Sequence, residues 1–242
     1  MTYCVGLLLK AGIVMLSDTR TNAGLDNIAT YRKMYLFESP GERVIGIMTA
    51  GNLSVTQTTI ARLEEAMSDD PDADPHRDIL RAPTMLKVAE IIGQTLAEVR
   101  ADIVAKMTAM EQMASASMIV AGQRRGGGMR MFLVYQEGNF IEATEDTPFL
   151  QIGEHKYGKP ILDRVVTPDT SLADAQKAVL LSMDSTLRSN LSVGMPLDLA
   201  VIGKDSFEVG TRRRIEAGDP GFQRMSEAWS AALRDAFRRI EV

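Results

Sequence analysis

Short apolar runs alternate with turn residues over the first 50 residues, a pattern typical of β-strands. Two such runs, residues 2–9 and 13–19, flank a turn at Lys10 to Gly12, which predicts a hairpin. Further strands are predicted over residues 30–37 and 44–51, on either side of the turn SPGER. Together these strands predict a sheet.

The spacing of apolar residues changes to a helical period after Gly51, with Asn52 or Ser54 as the N-cap of a helix that reaches Met67. The acidic segment SDDPDADP ends this helix. A longer helix follows, in which apolar residues recur every three or four positions: Met85, Val88, Ile92, Leu96, Val99, Ile103, Met107 and Met110. Two consecutive helices are therefore expected to cover one face of the sheet.

The rest of the chain repeats this alternation. The predicted elements are an antiparallel meander over 115–122, 129–136 and 139–144, helices over 161–166 and 172–189, and strands over 197–203 and 206–210. The order of strands, two helices, strands, two helices and strands predicts an α+β fold. In this fold two antiparallel sheets lie between two helical layers.

The C-terminal segment carries a narrow apolar seam, which predicts an amphipathic helix. Its members are Phe222, Met225, Trp229, Leu233, Phe237 and Ile240. Either this seam packs on its own domain, or its aromatic side chains anchor a contact between subunits. We accordingly divide the chain into a domain over residues 1–212 and a C-terminal extension over residues 213–242, which is expected to form a subunit contact.

With 242 residues, 45% of them hydrophobic and 24% charged, the chain has the composition of a globular protein with a buried core. The net charge of −5 argues against nucleic acid as a partner, because phosphate binding requires a positive field. No apolar run approaches the roughly 20 residues that span a bilayer, and the N-terminus lacks a signal-peptide pattern. We therefore expect a cytoplasmic protein with no membrane partner.

The scarce residues exclude several chemistries. One cysteine, Cys4, and two histidines, His76 and His155, permit neither an internal disulfide nor a four-ligand zinc site. No metal or cofactor is expected, and the base of any catalytic mechanism should be a group other than imidazole. The lone cysteine also suits a reducing compartment.

Two near-motifs for ligand binding fail at required positions. A calcium loop starting at Asp70 would need glycine in place of Pro75 and glutamate in place of Arg81. The segment GEHKYGKP resembles a phosphate-binding loop, but Pro160 stands where the hydroxyl that binds Mg²⁺ should be. Both segments are predicted to be ordinary loops.

Thr2 offers a nucleophile that carries its own base. Removal of Met1 makes Thr2 the N-terminal residue, and a free α-amine, with a pKa of about 7.7 to 8.0, can accept the hydroxyl proton. The predicted hairpin places Asp18 at the same end of the sheet as Thr2, and Lys33 can reach that end. An ammonium there lowers the pKa of the hydroxyl and of the amine, and Asp18 orients the ammonium.

The stretches TYCVGLLLKAGIVMLSDTRTNAG, YRKMY and MTAGN resemble the start of proteasome β-type subunits, which are N-terminal nucleophile hydrolases. The closer resemblance is to the bacterial Anbu family of proteasome homologues, through the same opening, QIGEHKYGKPILDR and SNLSVG. It covers essentially the whole chain. The resemblance implies a four-layer αββα fold and a threonine-type endopeptidase that acts on peptides or unfolded proteins. It also implies a homo-oligomer, arranged as a ring or a helix.

By position, the resemblance implies that Thr2 is the nucleophile, that Asp18 and Lys33 are its supporting pair, and that the Gly51 amide is the oxyanion donor. The segment with Asn190 and Ser192 matches the region that supports the N-terminus in β subunits. The chain departs from the family pattern in three ways. The lysine comes one residue early, Asn190 takes the place of an aspartate, and Glu154 or His155 replaces a serine. A weakly active or inactive assembly module and an amidase on the same fold remain as alternatives.

Overall fold

The computed structural model describes residues 2–22, 28–68, 74–106 and 114–241. The first elements are the strands β1 (Tyr3–Leu9), β2 (Gly12–Asp18), β3 (Arg20–Asn22), β4 (Ile28–Thr30), β5 (Met34–Ser39) and β6 (Arg43–Gly51). Next come α1 (Leu53–Ala66), a short 3₁₀ helix (Pro75–Arg77), α2 (Met85–Lys106), β7 (Ala116–Arg124), β8 (Arg130–Val134) and β9 (Phe140–Glu142). The last elements are β10 (Phe149–Gly153), α3 (Lys159–Val165), α4 (Leu172–Ser189), β11 (Leu197–Gly203), β12 (Thr211–Ile215) and α5 (Pro220–Arg239).

The strands form two large antiparallel sheets and a small ribbon in the described ranges. The first sheet has the order β10-β1-β2-β11-β12, the second the order β5-β6-β7-β8-β9, and β3 pairs with β4 in the ribbon. In the β1–β2 hairpin Leu9 lies opposite Gly12 and Cys4 lies opposite Ser17. The predicted turn at Lys10 is therefore confirmed, as is the mixed fold with antiparallel sheets.

The hydrophobic core consists of three clusters of buried side chains. One joins α1 and α2 to residues of β6, β7 and β8, and a second joins α3 and α4 to residues of β1, β2 and β11. The third joins β1 and β2 to residues of β5, β6, β7 and β8, so it lies between the two sheets. Alternation along β1 places Tyr3 and Val5 in the cluster with the helices and Cys4 in the cluster between the sheets.

The helix predicted after Gly51 is confirmed, with Asn52 as its N-cap and the Asn52 side chain accepting a hydrogen bond from the Val55 N–H. The predicted apolar stripe of α2 is buried from Met85 to Val99. Two further members of that stripe, Met107 and Met110, lie outside the described residues. None of the helices in the described ranges is long and apolar enough to cross a membrane.

The strand predicted over residues 206–210 is wrong. Asp205 and Phe207 have φ angles of 60° and 54°, a left-handed backbone that cannot continue a strand, and the strand is β12, the next segment. The Asp205 N–H donates to Gln123 Oε1 at 2.8 Å, a contact distant in sequence that holds this turn. The predicted boundary between residues 212 and 213 falls inside β12. The division into a domain and an extension stays a prediction.

Two other strands differ from the sequence prediction. The stretch predicted over residues 30–37 is divided between the end of β4 and the start of β5 at Met34. Strand β10 has no predicted counterpart, and it exists because it pairs with β1, with Tyr3 opposite Gly153. The first difference reflects two separate local pairings, of β4 with β3 and of β5 with β6, whereas β10 depends on a strand about 150 residues away in sequence.

The first half of α5 packs on α4, and its second half is exposed. The Ser226 hydroxyl donates to Asp184 Oδ1 at 2.7 Å and accepts from the Arg188 guanidinium at 2.7 Å. Along the predicted seam, Phe222 packs against the α3–α4 cluster. At the other end Leu233, Phe237 and Ile240 are 49%, 80% and 71% exposed, so this part of the seam has no cover within the described chain.

Candidate active site

The peptide group that joins Thr2 to Tyr3 is held on both of its sides. Its carbonyl oxygen accepts a hydrogen bond from the Glu154 N–H at 2.7 Å, and its N–H donates to Asp18 Oδ1 at 3.1 Å. The first bond comes from the segment after β10 and the second from the end of β2. The Thr2 residue is 7% exposed, so the candidate nucleophile is fixed in place at the start of β1.

Asp18 and Lys33 form a buried ion pair beside this peptide group. Lys33 Nζ lies 2.8 Å from Asp18 Oδ1, and the two side chains are 5% and 0% exposed. The ammonium also donates to the Arg20 carbonyl at 2.5 Å. The structure therefore brings together the three catalytic residues predicted from sequence, because one Asp18 oxygen bonds both the Lys33 ammonium and the amide that follows Thr2.

The electrostatics of the pair follow from its burial. Burial raises the pKa of the Asp18 carboxyl, while the Lys33 ammonium and the N–H groups of Tyr3 and Gly194 act in the opposite direction. The carboxylate and the ammonium together make four hydrogen-bond and ionic contacts. A buried ion pair needs such contacts to offset the loss of hydration. A fixed positive charge near an N-terminal threonine favours a deprotonated hydroxyl and an uncharged amine.

Cys4 lies near the same pair but cannot serve as the nucleophile. It is fully buried between the sheets, and its thiol is directed at the Thr49 carbonyl at 3.7 Å. Burial, followed by the nearby Asp18 charge, raises the pKa of the Cys4 thiol far above its ordinary value. The thiolate form is therefore suppressed, and Cys4 is a core residue, as the sequence predicts.

Gly153 is a site residue that sequence reasoning did not single out for this role. Its φ is +80°, and an ideal Cβ there would lie 1.9 Å from the Thr2 carbonyl oxygen. Only glycine allows β10 to turn so close to the candidate nucleophile. The signal in the sequence is the first glycine of GEHKYG, which belongs to the segment that resembles a phosphate-binding loop.

Tyr3 is a second anchor that sequence reasoning missed. Its side chain is fully buried on the helical side of β1, opposite to the direction of Cys4. The phenolic oxygen lies 2.5 Å from the Ser182 hydroxyl and accepts a hydrogen bond from the Gln151 amide at 2.6 Å. These contacts hold the residue next to Thr2 against α4 and β10, so they fix the strand end that carries the candidate nucleophile.

The buried Tyr3 phenol should make the free energy of unfolding depend on pH in the alkaline range. Burial raises the pKa of Tyr3 from 10.0 to about 12, although its hydrogen bonds to Ser182 and Gln151 act in the opposite direction. Between these values the unfolded chain loses the proton and the folded chain keeps it. The free energy of unfolding should therefore fall as pH rises above 10, by roughly 1.4 kcal/mol per pH unit from this group.

Urea unfolding at a series of pH values from about 8 to 11 measures this dependence. The Tyr3→Phe variant should show a shallower fall above pH 10, whereas Tyr157→Phe, which changes an exposed tyrosine, should keep the full slope. Equal slopes in all three proteins would contradict a buried, protonated Tyr3. Absorbance titration of the tyrosines gives an independent reading, because Tyr3→Phe should remove the last group to ionise.

Gly51, the predicted oxyanion donor, lies at the end of β6 with a φ of +110°. An ideal Cβ at this position would lie 2.3 Å from the Ser115 carbonyl oxygen, so the position requires glycine. Gly51 and Gly153 line the same cavity of about 390 Å³. Since Gly153 contacts the Thr2 carbonyl, this cavity lies beside the candidate nucleophile and has room for a bound peptide group.

The other predicted supporting residues contribute through their loop. Asn190 ends α4, and its side-chain oxygen accepts a hydrogen bond from the Ser192 N–H at 2.9 Å. Two residues further on, the Gly194 N–H donates to Asp18 Oδ2 at 3.3 Å. In the described part of the chain, the loop thus reaches the ion pair through Gly194, a backbone contact that side-chain motifs cannot reveal.

The two candidates for the replaced serine behave differently. Glu154 contacts Thr2 through its backbone N–H, while the exposed His155 ring lies 3.2 Å from the Gly153 carbonyl. No group of three or more His, Cys, Asp or Glu side chains in the described ranges is arranged to hold a metal ion. Met1, whose removal the sequence interpretation requires, lies outside the described residues.

The chain was compared with protein-family models, curated proteins and solved structures. The first two comparisons gave no match. Among solved structures it is similar to a mutant of Anbu from Hyphomicrobium sp. strain MC1, at 48% identity and a TM-score of 0.92, covering 100% of this chain and 99% of that one. It is also similar to Anbu, the ancestral β-subunit, from Yersinia bercovieri, at 41% identity and a TM-score of 0.91, over 99% and 97% of the two chains.

A third similar structure is a helical assembly of the Anbu complex from Pseudomonas aeruginosa. Its chain is 43% identical to this one with a TM-score of 0.92, over 99% of this chain and 97% of that chain. Similarity at these levels extends over nearly the full length of each protein.

Proposed function

Because the chain belongs to the Anbu family of ancestral proteasome β-subunits, we propose that it is a threonine-type endopeptidase whose nucleophile is Thr2. Removal of Met1 exposes the Thr2 amine, and the enzyme hydrolyses peptide bonds of peptides or unfolded proteins in the cytoplasm. It requires no cofactor. The observation that carries this proposal is the buried Lys33–Asp18 ion pair, bonded to the amide that follows Thr2.

In the proposed reaction the Thr2 hydroxyl oxygen attacks the carbonyl carbon of the scissile peptide bond, and the hydroxyl proton passes to the Thr2 α-amine. The carbonyl oxygen becomes an oxyanion, which accepts a hydrogen bond from the Gly51 N–H. When the tetrahedral intermediate collapses, the C–N bond breaks and the protonated amine gives its proton to the leaving nitrogen. Water then attacks the ester on Thr2 by the same steps and releases the acid.

The supporting residues act on this chemistry through charge and position. The Lys33 ammonium lowers the pKa of the Thr2 hydroxyl and amine, and Asp18 holds the ammonium in place. Asn190 and Ser192 shape the loop that brings the Gly194 N–H to Asp18. The amine must be uncharged to accept a proton, so activity should increase from about pH 6 to about pH 8.

The state of the N-terminus provides the test of this proposal. Intact mass of the purified protein should lack the Met1 residue, and incubation with a peptide epoxyketone should add one inhibitor mass to Thr2, because that adduct requires both the hydroxyl and the free amine. Thr2→Ala should form no adduct and hydrolyse no peptide. Thr2→Ser, which keeps both groups, should retain adduct formation.

An active protein that retains Met1 would overturn the proposed mechanism. Absence of turnover with a broad peptide panel, despite a free Thr2, would favour an assembly module with little activity. The specific observation behind this alternative is that Glu154, rather than a serine, follows Gly153 at the nucleophile. Cleavage of small amides in preference to peptides would indicate an amidase.

The proposal includes the four-layer αββα arrangement of N-terminal nucleophile hydrolases. It is supported by the three hydrophobic clusters, which lie between helices and sheet, between the two sheets, and between sheet and helices. A β-like domain over residues 1–212 and an extension over residues 213–242 are part of the same proposal.

We also propose that the protein assembles with copies of itself as a ring or a helix, with the exposed end of α5 in the contact. A related Anbu complex forms a helical assembly, and Leu233, Phe237 and Ile240 form an exposed apolar surface here. Burying such side chains between subunits contributes about 1.5–3 kcal/mol each.

Ending the chain after residue 230 should therefore lower the assembled mass measured by light scattering. This truncation keeps Phe222 and Ser226, which pack on α4, so the fold is expected to persist. Phe237→Ser should act in the same direction, whereas Arg234→Ser on the same helix should not. An assembled mass that does not change in the truncated protein would show that the subunits contact through another surface.

A further inference from the structure

A small crevice lies at the open edge of the two sheets. It has a volume of about 130 Å³, with Met34 and Leu36 of β5 on one side and Arg212 and Arg214 of β12 on the other. Across the β11–β12 ladder, Arg214 lies opposite Asp198 and Arg212 lies opposite Ala200. The side chains of both arginines are therefore on the same face of the sheet as Asp198. Arg32, next to Lys33 in sequence, also lines the crevice.

The positive charges around this crevice exceed the negative ones. Among the described residues that line it, Asp198 is the one acidic side chain, against Arg32, Arg212 and Arg214. A fourth lining arginine, Arg213, is already bonded to Asp219 at 2.7 Å. With Arg213 set aside, and with the rim residue Glu216, 3.6 Å from Arg214, counted beside Asp198, three positive and two negative charges leave a local charge of +1, on a chain whose net charge is −5.

The donors of these arginines are largely unused. Arg214 lies 3.8 Å from Asp198 and 3.6 Å from the rim residue Glu216, distances too long for hydrogen bonds. Neither Arg32 nor Arg212 makes an ion pair within the described part of the chain. Guanidinium groups bind carboxylates and phosphates through paired N–H donors, so these groups can hold an anion between them.

Asp198 is the carboxylate that the arginines of the crevice share. Its side chain is 20% exposed, and it lies within electrostatic reach of Arg214, Arg32 and Arg212. One carboxylate with two lone-pair-bearing oxygens cannot satisfy three guanidinium groups, each with five N–H donors. Electrostatic attraction to Asp198 thus keeps the three arginines close together, while most of their N–H donors remain available.

We propose that this crevice binds a small oxyanion, a phosphate or a carboxylate group, with Arg32 and Arg212 as its main ligands. The volume suits a group of this size rather than a large cofactor. The bound anion connects the segment before β5 to β12, and therefore joins the edges of the two sheets. Because Arg32 precedes Lys33, the anion also fixes the segment that carries the Lys33 ammonium.

Isothermal titration of the full-length protein with sodium phosphate and with sodium malonate tests this site, using sodium chloride at matched ionic strength as the reference. At least one of the two dianions should bind with saturation. The double variant Arg32→Gln/Arg212→Gln should weaken that binding by at least ~10-fold, because each lost guanidinium removes charge-assisted hydrogen bonds. Arg164→Gln, an exposed arginine bonded to its own helix, should bind like the unchanged protein.

A second variant predicts a change of opposite sign. Asp198→Asn removes the competing negative charge and should tighten anion binding several-fold, which a protein damaged by mutation would not do. Binding of phosphate alone identifies a phosphoryl group as the ligand, and binding of malonate alone identifies a carboxylate. The proposal is overturned if neither dianion binds beyond chloride, if the double variant binds as tightly as Arg164→Gln, or if Asp198→Asn weakens binding.

Discussion

Replacement of Lys33 by methionine should lower the free energy of unfolding by about 3–5 kcal/mol and abolish peptide hydrolysis. Methionine fills a similar volume but leaves the Asp18 carboxylate without its ammonium partner. That carboxylate is fully buried, so water cannot replace the lost charge. Chemical denaturation at neutral pH measures the loss of stability, and a peptide substrate measures the loss of activity.

The pH dependence of this variant has a definite sign. Burial already raises the pKa of Asp18, and loss of the Lys33 charge should raise it further. A carboxyl whose pKa is higher in the folded state than in the unfolded state contributes stability at low pH that is lost as pH rises. The deficit of the variant should therefore shrink as the pH falls below neutrality, because the Asp18 carboxyl takes up a proton at a higher pH in the folded variant than in the unfolded chain.

Two control variants distinguish the effect of burying the charges from the effect of ion pairing alone. Lys10 and Asp169 are also 2.8 Å apart, but their side chains are 59% and 73% exposed, so Lys10→Met should change the stability little. The double variant Asp18→Asn/Lys33→Met removes both charges and should recover part of the stability lost in Lys33→Met, but none of the activity. A stability equal to that of the unchanged protein in Lys33→Met would mean that Asp18 is uncharged in the folded state.

Replacement of Gly153 by alanine should slow adduct formation at Thr2 by at least ~100-fold, the scale of loss that a displacement of about 1 Å causes at a reacting group. The new Cβ would lie 1.9 Å from the Thr2 carbonyl oxygen and 2.7 Å from the carbonyl carbon. Both are backbone atoms, so no side-chain rotation relieves the clash. Either β10 or the start of β1 must move, and the Glu154 bond to the Thr2 carbonyl is lost.

Gly126→Ala is the matched control for this prediction. Gly126 has a similar φ of +76°, but no atom lies within 4 Å of its ideal Cβ. Its substitution should therefore destabilise the fold by about 1 kcal/mol through backbone strain alone, with the rate of adduct formation at Thr2 retained. If both variants form the adduct at the same rate, the position of Thr2 does not depend on close contact with Gly153.

The sequence predicts elements well where local pattern and tertiary environment agree. The β1–β2 hairpin, the N-cap at Asn52 and the buried stripe of α2 all follow from local spacing, because turn chemistry and burial of an apolar face act within a few residues. Strands at the edges of sheets follow a different rule. β12 carries three consecutive arginines and is a strand because it pairs with β11, which no local pattern reports.

The site shows the same division. Its candidate nucleophile, ammonium and carboxylate are recognisable in the sequence because the proposed chemistry requires those residue types and the hairpin places two of them at one end. Tyr3, Gly153 and Gly194 are not recognisable, since they act through a buried hydroxyl and backbone groups whose partners are up to 179 residues away in sequence.

By itself, then, the sequence predicted the residue types of the proposed site, a threonine with a lysine and an aspartate, and the order of most of the strands and helices. Only the tertiary structure decided that Lys33 and Asp18 form a fully buried pair, and that both sides of the Thr2–Tyr3 peptide group are held. The physical reason is that burial and hydrogen-bond partnership depend on segments that meet only after the sheets have formed.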